Sequence, residues 1–352
     1  MLFSRKGNVV GLDIGSSSIK LLELAELRGG YQLKNFGIAP LPPEGIVDGA
    51  LMDSVTIVES IRGLAGALRI KTKDVVTSVS GHSVIVKKIN IPVMTEDELD
   101  ESIQWEAERY IPFDINDVNL DFQIIGPTEG NEEMMDVLLV AAKKDIINDY
   151  LSVIVEAGLH PVIVDIDSFA IENMFEVNYP VTRDEVIALA NIGASVTNIN
   201  ILKRGVSSFT RDIFTGGNSI TEEIQRQLNV DFDEAEALKL GNKIDETSQR
   251  AVQEVLNSSL NSLATEIAKS LDFFHSTSSQ EKVDKVFLSG GCAKISGIEK
   301  VIEEQAGIPV EIANPFKEIN CSKRDLDIDY LKEMEPIMAV SVGLALRRVG
   351  DK

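Results

Sequence analysis

The chain has 352 residues, is 44% hydrophobic and carries a formal net charge of −22. Its length exceeds what one core organises, so two or more domains are expected, and its acidity disfavours nucleic acid, whose phosphates are bound by basic surfaces. No apolar run reaches the ~18 residues of a membrane span, and Met1–Lys6 lacks the apolar core of a signal peptide.

Val9, Val10, Leu12 and Ile14 form a β-prone run, and Ile19, Leu21, Leu22 and Leu24 resume as a second strand. Between them lies Gly15-Ser16-Ser17-Ser18, the tip of a tight turn. Gly11 and Gly15 permit close backbone approach, and Gly15 also permits positive φ. Such a tip offers N–H groups and hydroxyls to an anion; a Ser-rich β-turn without a ligand is the alternative. Asp13 sits where a carboxylate can hold Mg²⁺ bound to that anion. This is not a Walker loop, which needs G-x-x-x-x-G-K-[ST]. Tyr31–Ala39 reads as a third strand closing a meander. Leu41–Gly45 is a loop. Asp53 caps a helix with Ile57, Ile61, Leu64 and Leu68 at helical spacing, and Val75–Val79 is a fourth strand.

His82–Ile91 alternates as a strand, ended by Pro92. Thr95-Glu96-Asp97-Glu98 is a capping box, opening a helix with Leu99, Ile103, Ala107 and Tyr110 as its buried stripe. Trp105, the only Trp, lies about 200° round the helix from Ile103 and should point away from that stripe. It either packs on a neighbouring subdomain or stands as a surface aromatic. Asn119–Ile125 and Met134–Ala141 are strands joined by the loop Gly126–Glu133, and Asp145–Ala157 is a helix ended by Gly158. Residues 82–160 thus read as a small α+β insert. Thr95–Asp136 holds fourteen Asp and Glu and one basic residue, Arg109, so it carries −13 of the −22. That is a solvated face or a docking surface. Pro161–Ile166 is a strand, and the helix starting at Ser168–Phe175 is broken by Pro180.

The second half restarts the pattern. Val186–Ile192 is an apolar strand, Gly193-Ala194-Ser195 a turn and Val196–Leu202 a returning strand. L-D-I-G-S-S-S-I and A-N-I-G-A-S-V-T share strand, I-G, small residues and strand. A hairpin repeated once per lobe weighs more than one Ser-rich turn. Gly205–Asp212 is a third strand. Gly216-Gly217-Asn218-Ser219 leads into a helix over Ile220–Leu228, with Ser219 and Glu222 spaced as a capping box; a Gly-Gly turn before a helix is a second natural anion site. Asp233–Leu240 is a helix with Glu236 and Lys239 on one face. Arg250–His275 is a long helix with Leu260, Leu263, Ile267, Leu271 and Phe274 in period. Val283–Ser289 is a strand, followed by Gly290-Gly291 and a helix from about Gly297. Pro336–Val349 is a final apolar helix. Cys292 and Cys321 lie in no metal-like cluster and are expected as free thiols in a reducing cytoplasm. His82, His160 and His275 have no second ligand at metal spacing.

Two Gly-rich hairpins, a Gly-Gly-Asn helix start, an Ala-Glu-x-x-Lys helix and an apolar strand ending Ser-Gly-Gly resemble the actin-like ATPase superfamily, which includes actin, sugar kinases, heat-shock chaperone ATPases and FtsA. Within it, G-L-D-I-G-S-S-S-I-K, Q-W-E-A-E-R-Y-I-P-F, N-I-G-A-S-V-T-N-I, G-G-N-S-I-T and F-L-S-G-G-C-A-K-I-S-G are most similar to the PilM family of type IV pilus machines. The resemblance implies a two-lobed α/β actin-like ATPase fold of duplicated ribonuclease-H-like domains. Subdomain 1A would span 1–81, completed by 161–180 and 336–352. An FtsA/PilM-type insert, 1C, would span 82–160. Subdomain 2A would span 181–225, completed by 283–335, with 2B at 226–282. FtsA ends in a linker and an amphipathic membrane helix; this sequence stops three residues after Val349, an expectation in favour of PilM.

The resemblance also implies roles. Gly15, Ser16, Ser17, Ser18 and Lys20 fall in the first phosphate loop, with Asp13 holding Mg²⁺ through water. Gly193, Ala194, Ser195 and Thr197 fall in the second. Gly216, Gly217 and Asn218 would line a cleft for ATP, Glu236 and Lys239 would contact ribose and adenine, and Gly290 and Gly291 match the adenosine motif. Lys294 is either a nucleotide contact or a solvated surface lysine. The second phosphate motif usually begins with Asp; here it is Asn191, which keeps a carbonyl oxygen and loses the charge, so hydrolysis is expected to be slow. The implied partners are other pilus machine components and the cytoplasmic N-terminal tail of the inner-membrane protein PilN, bound in a groove between 1A and 1C. The implied place is the cytoplasm at the inner face of the cell membrane. An FtsA-like cell-division filament protein and a small-molecule kinase on the same fold stay open as alternatives.

Overall fold

The computed structural model describes residues 9–180, 182, 184–242, 249–278, 281–322 and 327–351. The chain opens as an antiparallel meander, β1 (Val10–Ile14), β2 (Ser18–Leu27) and β3 (Gly30–Pro40). All five residues of β1 are buried, as in a strand covered on both faces. A two-strand pair, β4 (Ile46–Val47) and β5 (Ala50–Leu51), precedes α1 (Ser54–Ala67), where the Asp53 side chain accepts from the Thr56 N–H. β6 (Asp74–Val79) then runs parallel to β1.

A separate three-stranded sheet follows. It comprises β7 (Val84–Pro92), β8 (Val118–Thr128) and β9 (Asn131–Lys143), with β9 in the middle, and α2 (Glu96–Ala107) packs on it. Both halves of the Thr95/Glu98 capping box form. Leu99, Ile103 and Ala107 pack with Ile89, Ile91, Val137 and Leu139, while Trp105 is 73% exposed, so it packs on no neighbouring subdomain. The expected loop Gly126–Glu133 is mostly strand: β8 and β9 continue to a turn at Glu129-Gly130, with Gly130 at φ +81°. Gly126, at φ +145°, lies where the register shifts, so the Gly-Pro pair marks an irregularity inside the strand rather than its end. His82 lies in a 3₁₀ turn before β7.

From α3 (Lys144–Glu156) the chain returns to the first sheet through β10 (His160–Ile166), parallel to β6, and enters α4 (Asp167–Asn178). The second half lays down β11 (Val186–Ile192), β12 (Thr197–Lys203), β13 (Val206–Ile213), α5 (Gly217–Leu228), α6 (Phe232–Lys239) and α7 (Gln249–Thr277). Then come β14 (Lys285–Ser289), α8 (Ile298–Ala306), β15 (Val310–Ile312), β16 (Ile319–Asn320), α9 (Ile328–Met334) and α10 (Ala339–Leu346). The sheet order β13-β12-β11-β14-β15 repeats β3-β2-β1-β6-β10 of the first sheet, whose far edge is extended by β16. The duplication read from the two hairpins therefore extends over five strands.

Two further local expectations fail. α5 begins at Gly217, three residues early, with Gly216 as its cap. The Ser219 hydroxyl donates to the Gly216 carbonyl at 2.8 Å, so Ser219 and Glu222 form no capping box. The last helix is shorter than Pro336–Val349: a 3₁₀ turn at Glu335–Met338 carries Pro336, and the chain is extended at Arg347.

Every residue of α10 is buried. It packs with α4 in a cluster that includes Leu22 and Leu24 of the first sheet and Leu189 and Phe287 of the second. The approach is as close as backbones allow: a Cβ on Gly343 would stand 1.6 Å from the Ala170 carbonyl oxygen, and one on Gly11 2.2 Å from that of Ser341. Glycine is required at both positions, and the two helices fix how the sheets face each other.

Candidate functional site

A cavity of about 390 Å³ lies between the two sheets. Of the residues singled out from sequence, Asp13, Gly15, Ser16, Ser17, Ser18, Lys20, Asn191, Gly193, Ala194, Ser195, Gly217, Asn218, Glu236, Lys239, Gly290, Gly291 and Lys294 line it. Thr197 and Gly216 stand behind the wall. The Thr197 hydroxyl donates to the Thr215 carbonyl at 2.8 Å. A Cβ on Gly216 would come within 2.5 Å of the Gly193 oxygen, so glycine is needed where the helix start meets the second hairpin.

In the first hairpin Asp13 and Lys20 are cross-strand partners, and their side chains pair at 3.3 Å with only 11% of each exposed. Burial raises the Asp13 pKa; Lys20 opposes the rise and the charge of Asp167 adds to it. Gly15 takes no positive φ. A Cβ there would stand 2.9 Å from Lys20 Nζ, so its value is room for the ion pair rather than a left-handed turn. The Gly15 N–H closes the tip onto the Ser18 carbonyl at 3.2 Å.

The second hairpin closes likewise, Gly193 N–H to the Val196 carbonyl at 2.9 Å. The Gly193 and Ala194 carbonyls accept from the Gly217 and Asn218 N–H groups, at 2.9 and 2.8 Å. The first two amides of α5 are thus spent on the hairpin, and the helix start is locked to it. Lys239 is buried, and its three donors go to Thr221 Oγ1 at 2.8 Å, the Gly217 carbonyl at 3.2 Å and the Glu236 carboxylate. Lys239 therefore braces Glu236, whose carboxylate also accepts from the Thr221 hydroxyl. Gly290 has φ +90°, and a Cβ on it would stand 2.4 Å from the Ile192 oxygen; around a Cβ on Gly291 nothing lies within 4 Å. Lys294 is partly exposed and pairs with Glu333 at 3.1 Å.

Asn191 sits in a chain of hydrogen bonds. Ser289 Oγ donates to its Oδ1 at 3.2 Å, and its Nδ2 donates to Asn198 Oδ1 at 3.2 Å. Asn198 Nδ2 donates to Asp212 Oδ1 at 2.9 Å.

Sequence reasoning missed several lining residues. Asp167 opens α4 directly after β10, lines the cavity and accepts from Ser78 Oγ at 2.6 Å. Its signal was an acid at the carboxyl end of a parallel strand, where α/β sheets collect ligands. His82 stacks on Phe214 at the cavity wall, and Tyr150 lies on it too, its hydroxyl pKa raised by burial and by Asp167 and Asp13. Among the described residues no three His, Cys, Asp or Glu side chains converge as a metal cage. A cation carried in by phosphates needs just one or two carboxylates, and Asp13 and Asp167 both line the cavity. Small-residue tips from both lobes, with Lys20, Asp13 and Asp167 among the lining residues, form a wall suited to a polyanion bearing a divalent cation.

Among the described residues no helix is long and apolar enough to cross a membrane. The chain is similar to the PilM-PilN type IV pilus biogenesis complex, with TM-score 0.87, 29% identity and coverage of 97% of this chain and 98% of that one. MreB5 of Spiroplasma citri bound to AMPPNP has the same two-lobed fold, at TM-score 0.51 and 13% identity over 95% of this chain and 94% of the other. The cell division protein FtsA of Pseudomonas aeruginosa is 23% identical over 88% of this chain and 83% of its own length. The FtsA of Bacillus subtilis is 26% identical over 70% of this chain, a match spanning 61% of that relative. A family model described as type IV pilus assembly protein PilM matches residues 11–349. With that match over nearly its whole length and the actin-like lobes in duplicate, the chain belongs to the PilM family of type IV pilus assembly proteins.

Proposed function

We propose that this chain is the cytoplasmic nucleotide-binding member of a type IV pilus assembly machine. It holds ATP with Mg²⁺ in the interlobe cavity and docks the cytoplasmic tail of a PilN-type inner-membrane protein between subdomain 1A and the insert, 1C. The observation that carries the nucleotide reading is the pair of small-residue hairpin tips, Ser16–Ser18 and Gly193–Ser195, on opposite sides of one cavity. Their hydroxyls and N–H groups suit phosphate oxygens, and Gly291 leaves open space for a nucleoside. Lys20, paired with Asp13 at 3.3 Å on the cavity wall, is the cation at hand for the phosphates. Asp13 and Asp167 would hold Mg²⁺ through its waters, and the ion would neutralise phosphate charge. Asn191 keeps a carbonyl oxygen but has no negative charge with which to polarise an attacking water, so turnover is slow. Attachment to the membrane goes through the partner, and the acidic insert suits the basic residues common at cytoplasmic membrane faces.

Asp13→Asn tests the site without emptying it, since the amide oxygen still accepts from Lys20. Calorimetry should find the Mg²⁺-dependent part of the ATP affinity reduced about tenfold or more, the usual cost of removing an outer-sphere metal partner. Mg²⁺-free nucleotide binding should change little. Full Mg²⁺ dependence in the variant would remove Asp13 from the role.

A further inference from the structure

Asp212, near the end of β13, has no part in the roles above. Each of its carboxylate oxygens accepts a bond: Oδ1 from Asn198 Nδ2 at 2.9 Å, and Oδ2 from the Gly81 N–H at 2.8 Å. Asn198 belongs to the second lobe. Gly81 belongs to the first and opens the 3₁₀ turn that leads into β7, the first strand of the acidic insert.

An ionised carboxylate only accepts, whereas an amide has one accepting and one donating end. Because Asp212 takes the NH₂ of Asn198, Asn198 must turn its oxygen to Asn191. Asn191 must then offer its NH₂ in return and keep its own oxygen toward Ser289. The sense of every bond in the chain is set by Asp212. That oxygen retains a second lone pair on a side chain that lines the cavity, where it can accept from a water on a bound cation. On the other side, Asp212 fixes the root of the insert. The His82 ring, next to Gly81, stacks on Phe214, two residues beyond Asp212. The Thr210 hydroxyl contacts the β7 carbonyl of Val86 at 3.4 Å.

We propose that Asp212 is a positioning residue that orients the Asn191 amide toward the cavity and clasps the root of the insert, so that the cavity and the insert respond to each other. The coupling half rests on the nucleotide reading above; the clasp itself does not. Such coupling needs an element that both sites bias, and the Asp212 carboxylate, bonded to both lobes, is placed to be it.

The test uses the full chain, with Asp212→Asn, Asp212→Ala and Asn198→Ala. An Asn at position 212 has one accepting end for two donors, so it must release Gly81 or reverse the amide chain. Without nucleotide, hydrogen exchange at the Gly81 amide should quicken about tenfold or more in Asp212→Asn, the scale of a lost charge-assisted bond. Amides of the β11–β14 ladder should keep their protection, which excludes general loosening. Asn198→Ala should leave Gly81 protected yet weaken Mg²⁺-dependent ATP binding as Asp212→Asn does. ATP with Mg²⁺ should slow exchange over Gly81–Val86 in the wild type and not in Asp212→Asn. Unchanged Gly81 exchange in both Asp212→Asn and Asp212→Ala, the latter having no accepting group at all, or loss of Gly81 protection in Asn198→Ala, overturns the clasp. ATP-dependent slowing that survives Asp212→Asn overturns the coupling. If the wild type takes up no ATP, the nucleotide reading and the coupling fall together, while the nucleotide-free exchange still decides the clasp.

Discussion

Replacing Gly291 with Val will abolish ATP binding and leave the fold intact. Gly291 follows β14 on the cavity wall, its φ is not positive, and nothing lies within 4 Å of the position a Cβ would take. A Cβ there meets nothing and needs no left-handed backbone, and the branches of a valine project into the space assigned to the nucleoside. The expected loss is about a hundredfold or more, matching the ~3 kcal/mol of an overpacked contact. Gly290→Val would be a poor substitute: φ is +90° there and a Cβ meets the Ile192 oxygen at 2.4 Å, so lost binding would report lost structure. Calorimetry beside a melting curve separates the cases. Wild-type affinity in a normally melting Gly291→Val protein would place the nucleoside elsewhere.

Deleting Val93–Glu132 will abolish capture of a PilN-type cytoplasmic peptide while ATP binding persists. The ends to be joined are already adjacent, with the Val93 N–H donating to the Glu133 carbonyl at 3.0 Å and Pro92 facing Met134 across the ladder. What is lost is α2, β8 and most of the acidic surface, including the exposed Trp105. Aromatic anchors supply affinity at such surfaces, and charge mainly supplies on-rate. The deletion also uncovers Ile89, Ile91, Val137 and Leu139, so a milder variant is needed beside it. Neutralising Glu96, Asp97, Asp100 and Glu101 together touches no core residue and spares Glu98, which caps α2. That variant should slow association several-fold at low salt, and the difference should shrink near ~0.15 M, where the Debye length is about 8 Å. A folded deletion protein that holds the peptide at wild-type affinity would move the docking site off the insert.

The two hairpins were legible because their information is local: β-branched runs, an Ile-Gly pair and small residues fix a turn wherever they occur. The insert was legible for the same reason, through Pro92 and the Thr95/Glu98 box. Asp167 and Asp212 were not, because neither has a local signature. Asp167 reaches the cavity through the parallel pairing of β10 with β6, and Asp212 meets Gly81 across 131 residues of chain. Ser219 misled for a related reason, since the start of α5 is set by the carbonyls of Gly193 and Ala194 rather than by its own side chain. Lys239 was found as a cavity residue, but its partners Thr221 and Gly217 lie on another helix. The departure at Asn191 also reads differently in context. A carboxylate there would face the Asn198 oxygen, and Asn198 cannot turn without releasing Asp212. Asn191 is thus one member of a matched set, and restoring the usual acid requires changing its neighbours too.

A crystal structure grown with a non-hydrolysable ATP analogue and Mg²⁺ would show whether the cavity between the lobes holds ATP with Mg²⁺, as proposed. The triphosphate is expected between Ser16–Ser18 and Gly193–Ser195, with Lys20 turned from Asp13 to the phosphates and the purine beside Gly290 and Gly291. An empty cavity at saturating nucleotide, or the analogue bound elsewhere on the chain, would contradict the nucleotide reading.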